Sequence, residues 1–155
     1  MNNLRAYGIA PFSIALVHGG PGAPGEMAPV ARELVSEMGV LEPLQTADSV
    51  DGQVEELKDV LQTQGNPPLL LVGFSWGAWL SFILAAQYPS LVKKLILVSS
   101  PPFIEKYVPQ IMETRLSHLI AEERKEALSL LSAIYSGSAK VNSFEIGRAS
   151  CRERV

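Results

Sequence analysis

Cysteine and histidine are scarce in this 155-residue chain, which has one of the former, Cys151, and two of the latter, His18 and His118. A lone cysteine excludes an internal disulfide framework, and a reducing, cytoplasmic setting is expected. Charge is thin as well: 19% of residues are charged and the formal net charge is −3, so no basic surface invites nucleic acid. No apolar run approaches the ~20 residues needed to cross a bilayer, and no membrane contact is expected. Arg5 and the mostly apolar stretch from Ala6 to Val17 have the outline of a short secretory signal. No small-residue cleavage site follows, and a buried strand is the better reading. Internal repeats and low-complexity linkers are missing too.

What remains is 47% hydrophobic, enough for one sizeable core. "FSIALV" (Phe12–Val17) reads as a fully buried strand entering a turn dense in glycine and proline. Met27, Val30, Leu34 and Met38 then recur at helical spacing, with Gly39 as the expected stop. "VLEPLQT" reads as a short strand. Ser49 is the expected cap of a second helix whose apolar stripe is Val50, Val54, Leu57 and Leu61. "LLLVG" is the second strong strand, Trp76 to Tyr88 a helix apolar almost all round, and Leu95–Val98 a further strand. This alternation predicts an α/β fold with a doubly wound, mostly parallel sheet. From Ile104 to Tyr135 the pattern changes to two amphipathic helices, with Leu116, Leu119 and Ile120 before the break and Leu128, Leu131 and Ile134 after it.

Gly73, Ser75 and Gly77 spell G-x-S-x-G at the predicted strand-to-helix junction, where small flanking residues permit a sharp turn that exposes the serine oxygen. Upstream, "HGGPG" (His18–Gly22) follows the other buried strand, and its glycines let backbone N–H groups approach a ligand. A carbonyl attacked by Ser75 would develop negative charge on its oxygen. The amides of Gly20 and Trp76 are the expected donors to that oxyanion, and the positive end of the following helix favours the same charge. "GGPGAPGE" lacks the Lys-Ser/Thr ending of a phosphate-binding loop.

HGGPG followed by GFSWG, then "AAQYP" and "KLILVSS", resembles the α/β-hydrolase superfamily over Phe12 to about Ser100. The pairing of HGGPG with SWG is similar to the proline iminopeptidase branch, although Phe74 stands where that branch usually has glycine, a departure that bears on proline specificity. The resemblance implies Ser75 as the acylated nucleophile, Gly20 and Trp76 as oxyanion donors, and a substrate pocket near Phe74, Trp76 and a lid over 104–135. It implies a small-molecule ester, amide or peptide substrate, with no cofactor and no metal. His18 belongs to the oxyanion-loop motif, which the family uses for packing and hydrogen bonding. Serine at this position sets the chain apart from epoxide hydrolases and haloalkane dehalogenases, which place aspartate there.

Acyl transfer by serine needs a base and an acid to orient it. His118 lies in the lid segment, whereas the family order is serine, then acid, then histidine near the end. Catalytic acid and histidine are therefore expected to be absent from this chain. The last residues, "EIGRASCRERV", lack periodicity and turn chemistry and back-translate into a widely used short-read sequencing adapter. The expected organisation is 1–103 as the N-terminal part of the hydrolase core, 104–144 as an incomplete lid, and 145–155 as a non-native tail, with a nearly inactive fragment as the consequence. The alternatives are a short non-catalytic binding module, or a lyase or acyltransferase using the same nucleophile. A peptidase would also need an acidic group for the substrate's amino terminus, for which Glu105, Glu113, Glu122 and Glu123 are unranked candidates.

Overall fold

The computed structural model describes residues 3–20, 23–36 and 38–136. The adapter-like tail lies outside the described residues. The chain divides into two compact units, Met1–Phe103 and Ile104–Val155.

The first unit is built on five strands, β1 (Leu4–Tyr7), β2 (Phe12–Val17), β3 (Gly39–Pro43), β4 (Leu69–Phe74) and β5 (Val92–Val98). They lie in the order β1-β3-β2-β4-β5, parallel throughout except for antiparallel β1. Helices α1 (Ala28–Leu34), α2 (Val50–Thr63) and α3 (Trp76–Gln87) connect them. Side chains alternate across the sheet, so each strand feeds two cores. Ala15, Val17, Leu41, Leu69 and Leu71 pack with Val54, Leu57 and Leu61 of α2 and with Leu80 and Leu84 of α3. Ile14, Leu16 and Val40 pack with Met27 and Ala31 on the opposite face. Helices on both faces of a mostly parallel sheet make the expected doubly wound arrangement.

The first helix departs from expectation. It ends at Leu34 and not near Gly39, and it turns its alanines to the sheet: Ala28 and Ala31 are buried while Val30, Leu34 and Met38 are exposed. Gly39 opens β3 and does not stop a helix. A Cβ there would lie 2.5 Å from the Ile9 carbonyl oxygen and 2.9 Å from the Phe12 ring, so packing against the β1–β2 connection demands glycine. The apolar run Ala6–Val17 is likewise two strands, broken at Gly8 with φ of +78°. In α2, Ser49 accepts a hydrogen bond from the Gly52 amide at 3.1 Å as expected, but Val50 is exposed.

Glu56 of α2 clasps the loop after β3. The Thr46 and Ala47 amides each donate to its carboxylate at 3.0 Å, and the Thr46 hydroxyl donates as well. Burial pushes this carboxyl up, but the three donors outweigh burial and hold it below the ordinary value of 4.5. A depressed carboxyl stabilises the fold above its unfolded value and ceases to do so as pH falls through the folded one. The melting-temperature advantage over Glu56→Gln is therefore expected to be full near neutrality and to shrink below about pH 4.5. An advantage that grows on acidification would contradict this clasp.

At the other edge, β5 leaves Ile96, Leu97 and Val98 more than a third exposed. An apolar edge strand templates pairing with other chains. Concentration-dependent light scattering by this chain is expected, and Leu97→Lys is expected to reduce it.

The second unit holds α4 (Val108–Ser117) and α5 (Ala121–Tyr135). Leu116 is buried, whereas Ile120 and Leu128 are exposed. The Ile134 side chain lies outside those described.

Candidate active site

The G-x-S-x-G junction is dictated by backbone crowding. A Cβ on Gly73 would collide with the Gly77 carbonyl oxygen and lie 2.6 Å from the Ala78 Cα. One on Gly77 would collide with the carbonyl oxygens of Val17 and His18. The two glycines thus let the start of α3 press onto the ends of β4 and β2. Ser75 is left at the apex with φ of 52° and ψ of −118°, outside the regions that L-residues favour, and its side chain makes no capping bond. Main-chain bonds hold the apex in place: the Ser75 amide donates to Val98 O at 3.0 Å, and Ser75 O accepts from the Ala78 amide at 3.0 Å.

Removing the side chain measures the strain. Ser75→Gly is expected to be about 1 kcal/mol more stable than Ser75→Ala, because only glycine occupies this conformation without cost. Equal midpoints in a urea titration of the two variants would mean that the apex is relaxed.

The HGG loop lies directly against the elbow. A Cβ on Gly19 would sit 3.0 Å from Ser75 Cβ, 3.1 Å from Phe74 Cδ1 and 2.9 Å from Glu26 Oε2. Glu26 Oε2 accepts the Gly19 amide at 3.1 Å, which commits that donor. Gly20 follows with φ of +45° and open space where a side chain would stand. The Trp76 amide is the first of α3, a 12-residue helix, and no intrahelical carbonyl can accept it. Phe74 and Trp76 are half-buried beside Ser75.

His18 is buried and fully occupied. Nδ1 lies 2.9 Å from Gly19 O, and Nε2 accepts the Gln45 amide at 3.3 Å. Gln45 in turn donates its side-chain amide to His18 O at 2.9 Å. The ring therefore ties the HGG loop to the segment after β3. His118, exposed at the end of α4, belongs to the second unit, as do the exposed Glu105, Glu113, Glu122 and Glu123.

Two residues of this region escape a reading of motifs. Gln53, buried on α2, accepts the Trp76 indole N–H at 2.9 Å and donates to Ala47 O at 2.8 Å, fixing the residue next to Ser75. Its signal was a polar side chain at helical spacing from Leu57 and Val60. Glu26 had a weaker one, as the only carboxylate in the loop after HGGPG. Among the described residues no group of three or more His, Cys, Asp or Glu is placed to hold a metal, and no helix is long and apolar enough to cross a membrane. An open hollow of about 670 Å³ lined by Gly8–Pro11 and Gly39 lies at the N-terminal ends of the parallel strands, away from the end that carries Ser75.

A strand–serine–helix elbow faced by a glycine loop at the C-terminal edge of a mostly parallel sheet defines the class as an α/β fold with a serine presented at its central turn. The family model for the alpha/beta hydrolase fold matches residues 3–132, and the chain belongs to that family. It is 32% identical over 78 residues to ethanol acetyltransferase 1 of Cyberlindnera jadinii, covering 48% of this chain and 23% of that protein. It is 33% identical over 52 residues to human epoxide hydrolase 4, covering 34% and 14%. Among solved structures, the thioesterase domain from the curacin biosynthetic pathway superposes with a TM-score of 0.58 at 29% identity, covering 71% of this chain and 46% of that one. VinJ superposes with a TM-score of 0.74 at 21% identity, covering 94% and 55%, a likeness of fold. The chain thus spans less than a quarter of those two curated relatives in the aligned segments and about half of those structures.

Proposed function

We propose that this chain is the nucleophile-bearing part of a serine hydrolase that cleaves an ester or amide through an acyl-enzyme on Ser75. The strained presentation of Ser75 against the HGG backbone carries the reading. Its Oγ attacks the carbonyl carbon while a base takes the hydroxyl proton and delivers it to the departing alkoxide or amine. Water then attacks the acyl-enzyme and returns the proton to Ser75. The amides of Gly20 and Trp76 receive the oxyanion, and Phe74 and Trp76 border the acyl group. His18 cannot be the base, because both ring nitrogens are engaged. Acid and histidine come from residues beyond those of this chain, and the chain alone is nearly inactive. The substrate is a small ester, amide or peptide, and the scarcity of cysteine suits the cytoplasm.

Likeness to an epoxide hydrolase does not carry that reaction over. A serine alkoxide opening an epoxide would form an ether that water cannot release, whereas a carboxylate would form a cleavable ester. Acyl transfer to an alcohol is the second reading, favoured by the 32% identity to ethanol acetyltransferase 1. Product analysis with ethanol present separates it from hydrolysis.

The test begins by sequencing the source DNA beyond the codon for Phe144 and expressing the frame found there. A fluorophosphonate probe is then expected to label Ser75 stoichiometrically in that product and barely in the 155-residue chain. A longer product with acid and histidine in place that stays unlabelled would remove the reading. If the frame stops at Val155, the binding-module alternative leads.

A further inference from the structure

Glu26 is a carboxylate at the mouth of the Ser75 site that the proposed reaction does not use. Its Oε2 and Ser75 Cβ each lie within 3.0 Å of the point where a Gly19 Cβ would stand, so the two atoms are separated by at most about 6 Å. The residue is exposed, and its carboxylate is anchored by the Gly19 amide at 3.1 Å. Among the described residues no lysine or arginine comes within ion-pair distance of it. The Arg5 guanidinium lies over the neighbouring Gly25 and pairs at 3.8 Å with buried Glu42, which also accepts the Tyr7 hydroxyl at 2.7 Å. Arg5 and Glu42 form a charge pair of their own, and Glu26 adds a further carboxylate within about 6 Å of Ser75 Cβ.

We infer that Glu26 is a specificity-determining residue, biasing the Ser75 site toward acyl substrates with positive charge near the scissile carbonyl and against anionic ones. This rests on Ser75 as the reacting group. A fixed negative charge beside a forming oxyanion is tolerable only if it is held to one side. The bond to Gly19 does this, and it leaves Gly20 and the α3 N-terminus to face the oxyanion.

The charge is measurable in this chain without the missing base. In Ser75→Cys, with Cys151→Ser to silence the only other thiol, the thiolate introduced at position 75 attacks the sulfenyl sulfur of a methanethiosulfonate, forming a mixed disulfide and expelling methanesulfinate. Two reagents differing only in a trimethylammonium or a sulfonate group report the local potential, and because both use the same thiolate, their rate ratio is independent of its pKa. The cation-to-anion ratio is expected to exceed that of the urea-unfolded protein by about tenfold. It is expected to return nearly to that reference in Glu26→Gln, which keeps an acceptor for Gly19. Should Glu26→Gln fail to fold, the salt series decides: the excess must collapse between about 10 mM and 0.5 M salt. A ratio indifferent to Glu26→Gln or to salt overturns the inference while leaving the nucleophile reading intact. An introduced thiol that reacts with neither reagent until the chain is unfolded removes both.

Discussion

Gly77→Ala is expected to abolish cooperative melting of this chain. The added Cβ would be driven into the carbonyl oxygens of Val17 and His18, atoms of a backbone that cannot retreat. Val17 is paired with Gly73 in the central β2–β4 ladder, and His18 is held by its bonds to Gln45. Relief would require lifting α3 from the sheet, which empties the contacts of Leu80 and Leu84 with the core. Overpacking against fixed backbone costs about 3 kcal/mol or more, a large part of the roughly 5–15 kcal/mol that holds a typical domain together. Near-ultraviolet circular dichroism is a suitable readout, because the Trp76 and Trp79 rings meet at a tilt with centroids 5.9 Å apart on the affected helix. The control is Gly20→Ala. Open space surrounds that position, so the penalty is only the positive φ, about 1 kcal/mol, and a sharp transition should survive. A Gly77→Ala variant melting within a few degrees of the parent would mean that helix and strand are not as close as described.

The same contacts explain which parts of the molecule the sequence announces. β2, β4 and α3 were legible because central parallel strands and the helix behind them are apolar almost throughout. The elbow was legible because glycines flanking a serine at fixed spacing mark a sharp turn at a strand–helix junction, where a Cβ on Gly73 or Gly77 would meet backbone. β1 was hidden for the opposite reason: LRAY is a short edge strand carrying Arg5, too brief to show a period. α1 misled because alanine, and not Val30 or Leu34, fills the narrow gap beneath it. Periodicity weighs large side chains, but close packing selects small ones. At the site, residue types pointed to Ser75, Gly20 and Trp76. They could not reveal that Gln53 fixes the Trp76 indole or that Glu26 anchors Gly19, since both bonds join segments that only the fold brings together.

If, as proposed, a longer product supplies acid and histidine, Ser75→Ala in it is expected to lower kcat for a p-nitrophenyl ester by about 10⁴- to 10⁶-fold while leaving KM within a small factor. The alanine keeps the Cβ, the strained φ of 52° and the bond from the residue 75 amide to Val98 O, so the pocket is preserved and only the attacking oxygen is lost. On the proposed reading, what survives is the contribution of the Gly20 and Trp76 amides and of binding, which act on attack by water. His18→Ala separates the two roles a histidine could have here. It releases the HGG loop from Gln45 and leaves a buried gap, so it should lower the melting temperature and weaken turnover through a displaced Gly20 amide. It should not approach the loss seen at Ser75, because its ring carries no proton for the reaction. If His18→Ala matched Ser75→Ala in kcat at unchanged stability, the ring would be a catalytic base, and its bonds to Gly19 O and the Gln45 amide would have to break during turnover.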